Sequence, residues 1–318
     1  MGSAITRHLL KAGYHVRAMS RSAEQGREVF RRWPEGRTAL EEQRLTFISA
    51  NVTSPETLPP AVADVDVVIQ AAQFRGAPIE DPSTGNTYMD VDRNGTLNLL
   101  AAVGQVYGAA TAGPDMVRYP AGAPRFMYVS GVSVVPDSPY DWVEAKWQAE
   151  EAIRGSGLDY SIVRACWAFG PDDHSLNRLL GYSEILPFVP VFGRGREKIT
   201  PLYVEDLGRL LARMVAEPDA ARNATLPLGG PDVFTMNQML RLGLRIIGKP
   251  QRIFHIPKPV AKLQGALLQR LRGRILTAAA VDFITQGGVA DPDPVEKCFP
   301  GFETTAFEDA LRTYLLPR

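Results

Sequence analysis

The sequence predicts an α/β fold, a doubly wound parallel sheet joined to a smaller, mainly helical lobe. Two observations lead there. Strand-like and helix-like segments alternate through the first half, the rhythm of parallel strands linked by crossover helices. Within it, residues 65–70 (VDVVIQ) are strongly apolar, as suits a strand covered on both faces. Beyond Pro171 the rhythm breaks into short, proline-interrupted pieces with helical periodicity. Residues 1–171 are therefore expected to form the main domain, with some later segments returning to it, and residues 172–318 the smaller lobe that meets a substrate or partner.

Each element follows from local pattern. Residues 3–12 place Ile5, Leu9 and Leu10 on one helical face, and Gly13 stops that helix before a strand over 14–19. A charged helix near 23–32, a strand at 45–49 and a short helix at 55–63 lead to the strand at 65–70. A long helix near 89–106 comes next. Residues 107–124 are rich in glycine, alanine and proline and read as an irregular, mobile surface insertion. A strand at 125–129, a helix at 141–154 and a strand at 160–164 complete the first part. The second part is expected to hold helices near 204–216, 235–247, 257–271, 276–286 and 305–315.

Composition limits the function. With 318 residues and 45% hydrophobic content, the chain can bury a sizeable core. Lysine plus arginine equals aspartate plus glutamate at 35 each, so no global field attracts nucleic acid or an acidic membrane. Cys166 and Cys298 lie far apart and in no C-x-x-C spacing, which argues against a disulfide framework or zinc site and fits a reducing cytoplasm. His8, His15, His174 and His255 lie at no metal-ligand spacing, so no metal is expected. No apolar run has the length of a membrane span and no signal peptide is seen, which again suits the cytoplasm. The stretch 259–280 sets Lys262, Arg270, Arg272 and Arg274 beside leucines. It reads as a solvated helix face, or alternatively as a contact for an anionic membrane surface or a protein partner.

The first residues carry their own signal. A doubly wound dinucleotide-binding domain begins with a strand, a glycine-rich turn and a helix whose N-terminus faces the pyrophosphate. Here Gly2, followed by SAITRHLLKAGYHVRAMSR, looks like the last glycine of such a turn with the helix and strand after it. The strand that would precede it is central in this topology, between the strands at 14–19 and 65–70. Its loss would leave two rows of buried backbone groups unpaired, at about 1–3 kcal/mol for each group. Such a total rivals the ~5–15 kcal/mol stability of a whole domain. The expectation is a natural start about a dozen residues upstream, with Met1 an internal methionine; the competing reading is a rearranged sheet.

Several motifs carry a family likeness: Asn51-Val52, VDVVIQAAQ at 65–73, DVDRNGTLNLLAA at 90–102, RFMYVSGVS at 125–133, EAKWQAEEAIRGSGLDYSIVRACWAFGP at 144–171, PLYVEDLGRLLA at 201–212 and LPLGGPDVFTMNQML at 226–240. In this order and spacing they resemble the atypical and extended short-chain dehydrogenase/reductases, which include NAD-dependent epimerase/dehydratase-like and NmrA-like proteins. The likeness is strongest to the branch related to the 39-kDa accessory subunit of respiratory complex I, and it covers nearly the whole chain.

The resemblance implies a Rossmann-like fold and a cofactor site. Gly2 would close the phosphate turn. The second family strand ends in Met19-Ser20-Arg21 and carries no carboxylate for a ribose diol. Arg21 there suits a 2′-phosphate, so NADP(H) is favoured over NAD(H); the other reading is that Arg21 merely begins the following charged helix. Asn51 and Val52 match positions flanking the adenine. Ala71, Ala72 and Gln73 match the small-residue turn that lets a cofactor approach the backbone, and Cys166 and Trp167 match the strand end beside the nicotinamide. Ordinary packing is the alternative for each.

Family chemistry uses a tyrosine four residues before a lysine, with a serine at the preceding strand end. One helical turn puts both side chains on one face, and the lysine charge lowers the phenol pKa. Lys146 is present, but Trp142 stands at the tyrosine position, and an indole N–H only donates. Tyr140 precedes Lys146 by six residues, which at about 100° each places it far round the helix. The alignment puts Gly131 at the serine position, with Ser130 and Ser133 beside it; each either reaches the site or bonds nearby backbone. Lys146 is then a ribose-binding donor, or a structural surface lysine.

The leading expectation is an NADP(H)-binding protein with a degenerate catalytic motif and a structural, assembly or redox-sensing role. One alternative is an active reductase, epimerase or dehydratase on a sugar nucleotide, quinone or other small carbonyl compound. The other is a nucleotide-free interaction protein.

Overall fold

Parallel strands with helical crossovers build the first half in a computed structural model that describes residues 1–74, 80–113, 116–173, 175–268, 281–283 and 285–316. Strands Val67–Gln70, Arg125–Gly131, Tyr160–Ala165 and Ala224–Leu228 lie side by side in that order as a four-stranded parallel sheet. Arg125–Gly131 is central and buried along almost its whole length, because helices cover the sheet on both faces. A separate parallel pair joins Val16–Ser20 to Leu45–Ser49 in strict register.

The two sheets are separate, with no ladder hydrogen bonds between Val16–Ser20 and Val67–Gln70. One expectation is corrected here. The apolar run Val67–Ile69 is half-buried and not buried, because its strand pairs on one side only, with Arg125–Gly131; Gln70 alone of that strand is fully buried.

Helix Gly2–Lys11 buries Ile5 and Leu9 in one core with Leu207, Leu210 and Leu211 of helix Val204–Ala216. The two helices cross at Gly208, where a Cβ would lie 2.6 Å from the His8 ring and 2.9 Å from the Ala4 carbonyl. Glu205 clamps the crossing, accepting from His8 at 2.9 Å and from Arg7. These hydrogen bonds and charges hold its carboxyl down at about 2 despite burial.

Most element expectations hold to within two residues, helix Asp141–Arg154 with both ends as read. Where they fail, a local cause is visible. The short helix near 55–63 is two pieces, Pro55–Thr57 and Pro59–Val62, because Pro59 and Pro60 lack N–H groups. An additional helix, Pro34–Glu41, starts with proline in its first turn. Residues 107–124 are not wholly irregular. They contain an antiparallel pair, Ala110–Gly113 with Met116–Arg118, in which Thr111 is in register with Val117.

Beyond residue 171 lie helices Leu176–Gly181, Met236–Ile246, Lys258–Leu268 and Phe307–Leu315, while helix Asp293–Cys298 packs Val295 against the main sheet. Phe169, Leu180, Met239, Leu240 and Phe307 share a second hydrophobic core. Short strands also contribute, Val189–Phe192 beside Ile253–Ile256 and Lys198–Ile199 beside Phe234–Thr235. Helix Val204–Ala216 and strand Ala224–Leu228 return to the main sheet. Of the helix expected at 276–286, only 281–283 are described as helical; residues 276–280, like His174, Arg270, Arg272 and Arg274, lie outside the described residues. Lys262 is paired with Asp282 at 2.8 Å. Among the described residues, no helix is long and apolar enough to cross a membrane.

Candidate functional site

Helix Asp141–Arg154 starts on an extended Tyr140 and carries Asp141 and Glu144 in its first turn, charges that suit the positive end of the helix dipole. One turn apart on it, Trp142 and Lys146 share a face. Trp142 is 8% exposed, and its indole N–H donates to Gln286 Oε1 at 2.8 Å. Its ring stacks on Tyr140 at 4.5 Å, and the Phe283 ring stands edge-on at 5.5 Å. Tyr88 packs between Phe74 and this cluster. Its buried hydroxyl has no hydrogen-bond partner among the described residues, and burial, with Asp92 and Glu80 nearby, pushes that phenol well above its usual range.

The ammonium of Lys146 donates to Asp92 Oδ1 at 2.6 Å, and Asp92 is 1% exposed. The other carboxylate oxygen accepts the Phe74 N–H at 3.1 Å. A π-helical turn, Met89–Asn94, delivers Asp92 into this place ahead of helix Gly95–Tyr107. Burial works to lower the Lys146 pKa, but the Asp92 carboxylate and the Tyr128 phenol outweigh it and hold the amine above its ordinary range. Tyr128 lies with its ring 5.8 Å from that ammonium, and burial pushes its phenol up to about 12 against the pull of Lys146. Sequence reasoning missed Asp92. The available signal was a carboxylate four residues before Thr96, in line with the face that helix Gly95–Tyr107 buries.

The strand ends place the remaining candidates. A Cβ on Gly131 would lie 3.8 Å from Lys146 Cδ, so this position faces the lysine and offers no hydroxyl. Ser130 is directed elsewhere. It donates to Glu150 Oε1 at 2.6 Å, and the fully buried Glu150 is also held by Arg154 at 2.6 Å and Arg164 at 2.7 Å. Ser133 donates to the Gly287 carbonyl at 3.1 Å and the Cys166 thiol to the Gly288 carbonyl at 3.0 Å. Trp167 donates to Ser175 Oγ at 2.9 Å. The structure thus gathers Lys146, Gly131, Ser133, Cys166 and Trp142 around the ends of the central strands, and sends Ser130 and Trp167 to other partners.

At the ends of the paired strands, Ser20 Oγ accepts the Ser22 N–H at 3.4 Å, while Ser22 caps helix Ala23–Arg31. Arg21 is exposed and its guanidinium has no partner among the described residues. Asn51 Oδ1 accepts the Thr53 N–H at 3.3 Å, and Val52 packs against Gly95, where a Cβ would approach to 2.7 Å. Ala71, Ala72 and Gln73 follow strand Val67–Gln70 and are half-buried. Beneath them the Gln70 carboxamide accepts the Ala72 N–H at 3.1 Å and leaves its buried Nε2 without a partner among the described residues. Gly2 is exposed at the start of its helix. Unspent donors on Arg21 and Gln70, small residues at the turn and parallel strand ends fit a nucleotide, since open α/β sheets bind ligands at that edge. Among the described residues no group of three His, Cys, Asp or Glu side chains is arranged to hold a metal, and both cysteines are free thiols.

The profile of the NAD dependent epimerase/dehydratase family matches residues 1–229. A mitochondrial NADH dehydrogenase [ubiquinone] 1 alpha subcomplex subunit 9 from Arabidopsis thaliana is 30% identical over 145 residues, 46% of this chain and 36% of its own length. The 40 kDa subunit of the NADH-ubiquinone oxidoreductase of Neurospora crassa is 28% identical, over 53% of this chain and 44% of its own. The matches thus span less than half the length of either subunit. A photosystem II assembly factor from Synechocystis is 24% identical over 99% of this chain and 87% of its own. Among solved structures, a UDP-glucuronic acid 4-epimerase from Bacillus cereus, in complex with UDP-glucuronic acid and NAD, shares the fold with a TM-score of 0.69. It covers 99% of this chain and 95% of its own at 16% identity.

Proposed function

The chain belongs to the NAD dependent epimerase/dehydratase family, and on that premise we propose that it binds a nicotinamide dinucleotide, NADP(H) in preference to NAD(H), in a structural, assembly or redox-sensing role with little or no turnover. One observation carries the reading. The side chain one turn before Lys146 is an indole tied to Gln286, and the lysine itself is tied to Asp92. No phenol therefore shares a helical face with that ammonium, and the facing strand position is Gly131. Likeness to subunits of a respiratory complex and to a photosystem assembly factor supports a role beside other proteins.

The dinucleotide, when bound, would supply or accept a hydride. Gly2 would lie by its phosphates, Ser20 and Arg21 by the ribose phosphate, Asn51 and Val52 by the adenine, and Ala71, Ala72 and Gln73 along its middle. Lys146 would donate to a ribose, and Cys166 and Trp167 would lie toward the nicotinamide. The guanidinium of Arg21 would pair with a 2′-phosphate in a charge-assisted contact. Calorimetric titration with NADPH and NADH tests this. NADPH is expected to bind at least about tenfold more tightly, a difference of about 1.4 kcal/mol, and Arg21→Ala is expected to abolish the difference. Equal affinities in the unaltered chain would remove the NADP(H) preference, and binding of neither would remove the nucleotide reading.

A further inference from the structure

Trp142, Ser133 and Cys166 come from three separate elements, yet their polar hydrogens all end on one short stretch of chain. The indole N–H meets the side chain of Gln286 at 2.8 Å, the Ser133 hydroxyl the carbonyl of Gly287 at 3.1 Å, and the Cys166 thiol the carbonyl of Gly288 at 3.0 Å. Behind it the stretch is anchored to the other lobe. Gly288 N–H donates to the Lys198 carbonyl at 2.9 Å, Thr200 N–H donates to the Gly288 carbonyl at 3.1 Å, and Ala290 N–H donates to Thr200 Oγ1 at 3.0 Å.

The two glycines permit this approach. A Cβ on Gly287 would come within 2.7 Å of the Lys198 carbonyl, and one on Gly288 within 2.7 Å of Val132 Cγ1 and 3.3 Å of Ser133 Oγ. We propose that residues 286–288 are a strap seated over the strand ends, so that the chain's own oxygens take up these donors and keep any ligand oxygen from them. Ligands that react at this place must first displace the strap, and until then Cys166 stays covered. This inference stands on the strap's contacts alone and holds whether or not a nucleotide binds.

Thiol alkylation by iodoacetamide reads the strap directly. Cys166 is 5% exposed whereas Cys298 is partly exposed, so Cys298 is expected to react first in the unaltered chain. In a Cys298→Ser background, Gln286→Ala is expected to speed Cys166 alkylation about fivefold, the population shift from losing one hydrogen bond. Gly288→Ala, which forces the backbone away, is expected to speed it further. Ser161→Ala removes buried hydrogen bonds elsewhere in the sheet and is expected to leave the rate unchanged. If Gly288→Ala fails to fold, Gln286→Ala decides the matter. The strap is refuted if Gln286→Ala leaves the rate unmoved, if Ser161→Ala speeds it equally, or if Cys166 in the unaltered chain reacts as fast as Cys298.

Discussion

Asp92→Ala is expected to destabilise the protein by about 3–5 kcal/mol near neutral pH, because it leaves the ammonium of Lys146 buried without its partner. Asp92 is 1% exposed and the Lys146 side chain 14%, so water screens this pair little. The variant also frees the Phe74 N–H from its acceptor. Urea unfolding measures the loss, and its pH dependence identifies the cause. In the unaltered protein the folded Lys146 pKa is raised, so its contribution is complete below the ordinary lysine value and declines only as pH rises beyond it toward the folded value. Without Asp92, burial dominates, and Tyr128 and Glu150 remain as the other titratable groups facing the amine. The folded pKa then falls, the unfolded chain binds the extra proton, and the penalty shrinks as pH rises. A penalty independent of pH would show that Asp92 acts through shape and not charge. Replacing both residues with apolar ones, Asp92→Leu with Lys146→Met, is expected to cost less than Asp92→Ala alone.

Glu150→Ala is expected to cost about 3 kcal/mol, the lower end of the range for breaking a buried ion pair. Glu150 is fully buried, but its partners Arg154 and Arg164 keep 27% and 21% of their side chains in contact with solvent and recover part of the loss by hydration. Glu150→Gln is expected to lose less, since its amide oxygen still accepts from Ser130. Chemical denaturation of the two variants gives these differences. Nucleotide affinity is expected to stay within about twofold in Ser130→Ala, a difference of about 0.4 kcal/mol, because that hydroxyl is spent on Glu150 and not on the nucleotide. A larger fall would return Ser130 to the nucleotide site.

The fold was largely legible because periodicity reports which side of an element meets the core. RFMYV at 125–129 reads as a strand and is one, and Ile5 and Leu9 mark the buried face of their helix. What pattern could not report was pairing. Val67–Ile69 has the composition of a covered strand, but burial also depends on how many neighbours a strand has, and here it has one. Glycine and proline content at 107–124 likewise hid an antiparallel pair, since backbone hydrogen bonds form between residues of almost any type.

The site was legible in part. Spacing alone put Trp142 over Lys146, and the alignment put Gly131 opposite them. Asp92 was hidden because no periodicity says that a carboxylate 54 residues upstream in sequence will meet a particular ammonium. Gln286, Gly287 and Gly288 were hidden for the same reason, being brought to the strand ends from more than 100 residues away in sequence. The fate of Ser130 required knowledge of Glu150 and its two arginines, a network assembled from a strand, a helix and a neighbouring strand.

The most direct test of a nucleotide-holding protein without turnover is NADPH oxidation, followed by the loss of cofactor absorbance, with saturating NADPH and a panel of quinones and carbonyl-bearing sugar nucleotides. The expected result is a rate indistinguishable from the protein-free background while NADPH remains bound. Oxidation at ordinary enzyme rates, about 1 s⁻¹ or faster, would contradict the account and make Trp142 part of a working site.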